Sequence, residues 1–197
     1  MPAPMHFWFE FASTYSYLSV MRIEDAAAKV GIDVVWRPFM LGPIFGAQGW
    51  RDSPFNIYPA KGAFMWRDME RRAQTYGVPF QKPPNFPQNT ILAARTAQLA
   101  LAQPEGRRFC KALYTAQFAE GKDLADPATI AQALATSGLP FDLIDKAQDP
   151  ENKDAMKAVV TEAMELGVFG APSFTVGSEL FWGDDQLDQA LSWAQSA

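Results

Sequence analysis

Three observations predict an α/β fold. An aromatic strand signal, HFWFEF, is followed by a helical stretch and a second strand signal, IDVVWRPF. Residues 41–150 then read as helix and loop alone. The chain closes with a helix, two short strand signals and a last helix.

Each element has its own justification. HFWFEF is short, aromatic-rich and bounded by Ala-Ser-Thr. From Tyr15 to Val30 apolar residues recur at helical spacing (Tyr17, Leu18, Met21, Ile23, Ala27, Val30), and Gly31 is the expected C-cap. Pro38 places IDVVWRPF at an edge or at its own end. Two strands around one helix predict a parallel, right-handed βαβ unit. GPIFGAQGWRDSPFNIYPAKG reads as a Pro/Gly-rich loop, and AFMWRDMERRAQTYG as a helix ended by Gly77. VPFQKPPNFPQNT is a rigid Pro-rich segment. NTILAARTAQLALAQ and GRRFCKALYTAQFAE are further helices, and DPATIAQALATSG opens on an Asp-Pro cap pattern. PENKDAMKAVVTEAMELG is a helix closed by Gly167. The strand from Ser173 to Val176, a Gly-Ser turn and the strand from Leu180 to Trp182 form a hairpin signal. This order is that of a thioredoxin-like fold with an all-helical domain inserted after the second strand. The expected division is 1–40 with 151–197 for the discontinuous thioredoxin-like domain and 41–150 for the insertion.

Composition narrows the function classes. The 197 residues carry a net charge of −5 and no basic run, which disfavours nucleic acid as a partner. No apolar run approaches the roughly 18 residues of a membrane span, so no membrane partner is expected. MPAPMHFWFE lacks the charged and apolar regions of a secretory signal, and a cytoplasmic protein is the expectation. The single cysteine, Cys110, excludes an intrachain disulfide and reads as a buried apolar residue. The single histidine, His6, has no Cys or His neighbours for a metal site, and no metal is expected. No G-x-S-x-G elbow is present, which disfavours hydrolase chemistry.

The site signal is the strand-to-helix turn. In a thioredoxin-like fold this turn holds the active dithiol. Here it is Ser13-Thr14-Tyr15-Ser16, so dithiol exchange is excluded. The orphan N–H groups and dipole of the helix start still favour an anion, and a bound thiolate is one. A plain capping role for Ser13 or Thr14, worth about 1 kcal/mol, accounts for the same residues. Ala171-Pro172 stands just before a strand, where thioredoxin-like proteins carry a cis-proline facing the active helix start. There Ala171 would offer its backbone to an extended ligand. Asp184 and Asp185 open the last helix, either as caps or as acceptors for a ligand amino group. Phe9, Phe11, Trp50 and Trp66 are candidates for an aryl pocket, with core packing the stronger reading for each.

The segments FWFEFASTYSYL, WRPFMLGPIF, SPFNIYPAKG, FMWRDMERRA, PPNFPQNTILAAR, GVFGAPSF and LFWGDDQL occur in one order across nearly the whole chain. In that order they resemble the 2-hydroxychromene-2-carboxylate isomerase family, relatives of kappa-class glutathione transferases within the DsbA-like superfamily. The resemblance implies a glutathione-dependent isomerase acting on aromatic conjugated carboxylates, usually a homodimer. It implies Ser13 as the catalytic residue beside the glutathione sulfur. It also implies glutathione contacts from Ala171 and Pro172, from Asp184 and Asp185 at the γ-glutamyl end, and from Lys61 near the tripeptide. Three positions depart from the family pattern: Thr14 for a proline, Gln186 for an arginine, and Arg51-Asp52 where relatives carry an asparagine. All three touch the glutathione site, and binding is expected to be weak. Two further readings share the site: a kappa-like transferase, and a non-catalytic, non-redox thioredoxin-like binder.

Overall fold

The computed structural model describes residues 3–197. Four strands form one sheet: β1 (Met5–Phe9), β2 (Val34–Pro38), β3 (Ser173–Val176) and β4 (Glu179–Trp182), in the order β2-β1-β3-β4. β1 runs parallel to β2, with Phe7 opposite Trp36, and antiparallel to β3, with Phe7 opposite Phe174. The expected βαβ unit is therefore present, its crossover being α1 (Thr14–Val30). Gly31 takes the left-handed C-cap conformation at φ 69°. β2 is an edge strand, and Pro38 ends it.

Between β2 and the final strands lie α2 (Leu41–Ala47), α3 (Pro54–Ile57), α4 (Pro59–Tyr76), α5 (Ile91–Ala100), α6 (Gly106–Phe118), α7 (Pro127–Ser137), α8 (Leu143–Lys146) and α9 (Pro150–Glu165). α10 (Leu187–Ser196) closes the chain. Asp126 caps α7 as the sequence suggests, its carboxylate accepting the Ala128 N–H at 2.9 Å.

The expected loop over residues 42–62 is corrected, and its last four residues, 59–62, are the first turn of α4. It contains α2 and α3, because glycine and proline here sit where a helix tolerates them. Pro43 is in the first turn of α2, where no intrahelical N–H is required, and Pro54 is the first residue of α3 behind its Ser53 cap. The capping role expected of Asp184 and Asp185 is also corrected. The chain enters α10 through a 3-10 turn, Asp184–Gln186, and neither aspartate accepts a capping N–H.

β1 distributes its side chains by the period-2 rule. Met5, Phe7 and Phe9 face the main core with Trp36, Phe174, Tyr17, Phe109 and Tyr114. Trp8 faces the other side, with Phe39, Ile44, Val160 and Val168. The main core runs without a break from the sheet into α5, α6 and α7. Phe11 and Cys110 are fully buried in it, as the packing readings have it. Burial pushes the Cys110 thiol pKa well up.

Candidate functional site

The C-terminal end of β1 turns into α1 through Glu10, Phe11, Ala12 and Ser13. Ser13 is the N-cap in extended conformation, and its Oγ accepts the Ser16 N–H at 3.2 Å. The same hydroxyl donates to the Ala171 carbonyl at 2.8 Å. The Ala171-Pro172 bond is cis, and the loop that carries it faces the Ser13 turn. Two segments 158 residues apart thus meet through one side chain. Pro172 itself is buried, and its carbonyl accepts the Gly183 N–H at 2.9 Å.

A cavity of about 1330 Å³ opens beside Ser13. One wall is polar, formed by Tyr15, Asp68, Arg72 and Asp185; another is apolar, formed by Met40, Leu41, Phe45, Trp50 and Phe55. Trp182 and Phe169 pack ring to ring on its rim at 4.9 Å. Of the four aromatics singled out in the sequence, Trp50 lines this cavity, its ring tilted against that of Phe45 at 5.5 Å. Phe9 and Phe11 are core, and Trp66 packs edge-on against Phe86.

The two adjacent aspartates have different surroundings. The Asp184 side chain is fully buried. Its carboxylate accepts from Ser19 Oγ at 2.9 Å, Arg22 Nε at 3.2 Å and Tyr76 OH at 3.1 Å. Arg72 adds its charge at 3.7 Å. Asp185 is exposed into the cavity, and its carboxylate makes no hydrogen bond or ion pair among the described residues. Gly183 permits this turn: its φ of 108° is poorly accessible to other residues, and a Cβ there would meet Asp185 Oδ1 at 2.7 Å.

Lys61 lines the cavity from the first turn of α4, its ammonium 4.6 Å from the Tyr58 ring centroid. α4 lies close against α3 because Gly62 has no side chain. A Cβ there would come within 2.3 Å of the Phe55 carbonyl oxygen. Gly62→Ala is expected to destabilise by about 1–3 kcal/mol through this overpacking, read as a lowered melting temperature.

The residues that sequence reasoning missed are Glu10, Tyr15, Asp68 and Arg72. The Tyr15 hydroxyl donates to Asp68 Oδ2 at 3.1 Å, and Arg72 Nε to the same oxygen at 2.8 Å. Burial pushes the Asp68 carboxyl up. The Tyr15 hydrogen bond and the Arg72 and Arg71 guanidinium groups outweigh this and hold it below the ordinary range. The Asp68–Arg72 spacing of four was a legible helix pair; its meeting with Tyr15 was not.

With this geometry established, comparison with known proteins places the chain. The profile of the DSBA-like thioredoxin domain matches residues 5–193. A 2-hydroxychromene-2-carboxylate isomerase from Sphingobium xenophagum is 30% identical, over 95% of this chain and 96% of its own length. The chain belongs to the 2-hydroxychromene-2-carboxylate isomerase family, within the DsbA-like thioredoxin domains. A solved isomerase of that name superposes with a TM-score of 0.86 at 23% identity, covering 96% of this chain and 93% of that one. Glutathione S-transferase kappa 1 from Homo sapiens is 22% identical over 95% of this chain and 89% of its own. The solved isomerase thus shares this chain's fold along nearly its full length.

Proposed function

We propose that this protein is a glutathione-dependent isomerase of aromatic conjugated carboxylates, working as a cytoplasmic homodimer. The observation that carries the proposal is the pairing of Ser13 with the Ala171 carbonyl at a helix N-terminus beside a large aromatic cavity. The names of the relatives support it. The cavity exceeds the roughly 300–1,000 Å³ of common single-ligand sites, so a tripeptide and an aryl substrate fit side by side.

The residues present fit glutathione. Ala171 offers backbone groups for the cysteinyl unit. Asp185 offers an unpaired carboxylate for the γ-glutamyl ammonium, and Lys61 a cation for a ligand carboxylate. Asp184 supports this end indirectly, because its oxygens are committed to Ser19, Arg22 and Tyr76. Bound glutathione would supply the thiolate that adds to the conjugated substrate, allows rotation about the resulting single bond, and leaves again.

The chain's task is to hold that sulfur ionised and in place. Lowering a thiol pKa by two units takes about 2.7 kcal/mol. The start of α1 contributes about 0.3–1 kcal/mol. A Ser13 hydroxyl turned to donate to the thiolate contributes about 1.5–3 kcal/mol. Together these suffice, and turning the hydroxyl leaves the Ala171 carbonyl free to accept a ligand N–H. The aromatic wall excludes water from the reacting double bond.

Calorimetry with reduced glutathione is the direct test. Weak binding is expected, since Gln186 and the Arg51-Asp52 loop lack family contacts. No heat and no thermal shift at about 10 mM, roughly tenfold above a millimolar dissociation constant, would sink the assignment and favour the non-catalytic binder. Asp185→Ala is expected to weaken binding by about 10- to 150-fold, the equivalent of a lost contact of about 1.5–3 kcal/mol, with the melting temperature little changed. Product analysis with a 2-hydroxychromene-2-carboxylate separates isomerisation from the conjugation a kappa-like transferase would give.

A further inference from the structure

Glu10 is a carboxylate set inside an aromatic strand end, between Phe9 and Phe11, and it is 5% exposed. It reaches the cavity floor, yet the chemistry above leaves it unused. Its Oε1 accepts the Ala12 N–H at 3.2 Å and the Thr90 hydroxyl at 2.7 Å. Its Oε2 accepts the Leu41 N–H at 2.9 Å. Ala12 belongs to the Ser13 turn, Leu41 is the first residue of α2, and Thr90 is the N-cap of α5. All three line the cavity.

We propose that Glu10 is the positioning residue of this site, a charged clasp that fixes the Ser13 turn against the aromatic wall built on α2 and the segment before α5. The proposal rests on the reading of the cavity as a ligand site. A carboxylate alone suits the position, because it offers only acceptors to three donors that converge from separate segments. The Thr90 hydroxyl can turn round to accept; the Ala12 and Leu41 N–H groups cannot. A glutamine here would set its NH₂ against one of those two N–H groups in either orientation. The Ser13 turn or the start of α2 would then be released.

The clasp is also responsive to acid. Burial pushes the Glu10 carboxyl above its ordinary value, opposed by the hydrogen bonds from Thr90, Leu41, Ala12 and Phe11. From α6, the Tyr114 hydroxyl donates to the Glu10 carbonyl at 2.7 Å, and burial together with the Glu10 charge pushes its own pKa far up. Tyr114 therefore stays neutral while Glu10 titrates. α2 and α5 present Leu41 and Thr90, which do not titrate. The cavity's other charges are on Arg51, Asp52, Lys61, Asp68, Arg72 and the Asp184-Asp185 pair, and none of them hydrogen-bonds or ion-pairs with the Glu10 carboxylate among the described residues. A raised carboxyl means that the folded chain takes up this proton more readily than the unfolded one. Stability from this group is fully present below the unfolded pKa and is lost as pH rises from there through the raised folded pKa. Acid therefore loosens the clasp without unfolding the chain through Glu10.

The test follows the Ala12 and Leu41 amide resonances between about pH 4 and 8, a window spanning the ordinary and raised carboxyl ranges. In the parent both amides are expected to titrate together, with a midpoint above that of an ordinary glutamate. In Glu10→Gln this transition disappears. In Thr90→Val, which removes one bond to the anion, the midpoint moves up. Affinity for S-methylglutathione, which has no thiol to ionise, is expected to fall on the acid side of the same midpoint in the parent. In Glu10→Gln it is expected to be lower by about tenfold at neutral pH and flat through that window. Amides that titrate alike in parent and Glu10→Gln, or a midpoint unmoved in Thr90→Val, overturn the clasp. Should Glu10→Gln fail to fold, the Thr90→Val midpoint decides alone. A parent that binds no S-methylglutathione sinks the glutathione reading, while the amide titration still decides the clasp.

Discussion

Ser13→Ala is expected to lower glutathione-dependent turnover by about 10- to 100-fold, the equivalent of one charge-assisted hydrogen bond. The same change removes the α1 cap and the tie to Ala171, so a loss of about 1 kcal/mol in stability should accompany it. The two effects are separable. S-methylglutathione presents no thiolate, so its affinity should hardly change if Ser13 acts on ionised sulfur. A variant that loses stability but keeps full turnover makes Ser13 a cap and nothing more.

Asp184→Ala should act the other way, on the fold. Removing this carboxylate leaves the buried Ser19 hydroxyl and the Tyr76 hydroxyl without their acceptor, and leaves the Arg22 guanidinium only the Asp184 carbonyl at 2.8 Å and the exposed Asp188 at 3.7 Å. Breaking a buried pair by deleting one partner costs about 3–5 kcal/mol, and Arg22, about a fifth exposed, favours the lower end. Denaturant unfolding should therefore show a large drop in midpoint for Asp184→Ala and almost none for Asp185→Ala. Equal drops would contradict the division of labour drawn between the two aspartates.

That division was not legible in the sequence. Two neighbouring aspartates before a helix look alike, and only the 3-10 turn sends one inward and the other into the cavity. The cis Ala171-Pro172 bond was legible, because the order of elements placed that proline before the third strand. The helices with clear apolar periodicity and glycine stops were legible as well, α1 with Gly31 and α4 with Gly77 among them. α2 was hidden by its composition: Leu-Gly-Pro-Ile-Phe-Gly-Ala has poor intrinsic helix propensity. Its first N–H is held by Glu10, a partner 31 residues away. Glu10 itself carried a signal that went unread, a lone charge in FWFEF. Charged residues in such surroundings are rarely buried without partners, and its partners lie in three different segments.

Cys110, the chain's lone thiol, is sealed in the core on the buried face of α6. A sulfur compound at the Ser13 turn therefore has no protein sulfur to bond to, and its residence is set by ordinary non-covalent exchange. Dilution or gel filtration should strip it completely, and non-reducing mass spectrometry should find the chain at its unmodified mass. Occupancy would follow the free ligand concentration from moment to moment. Oxidants that trap redox-active relatives as mixed disulfides would leave no covalent record on this one.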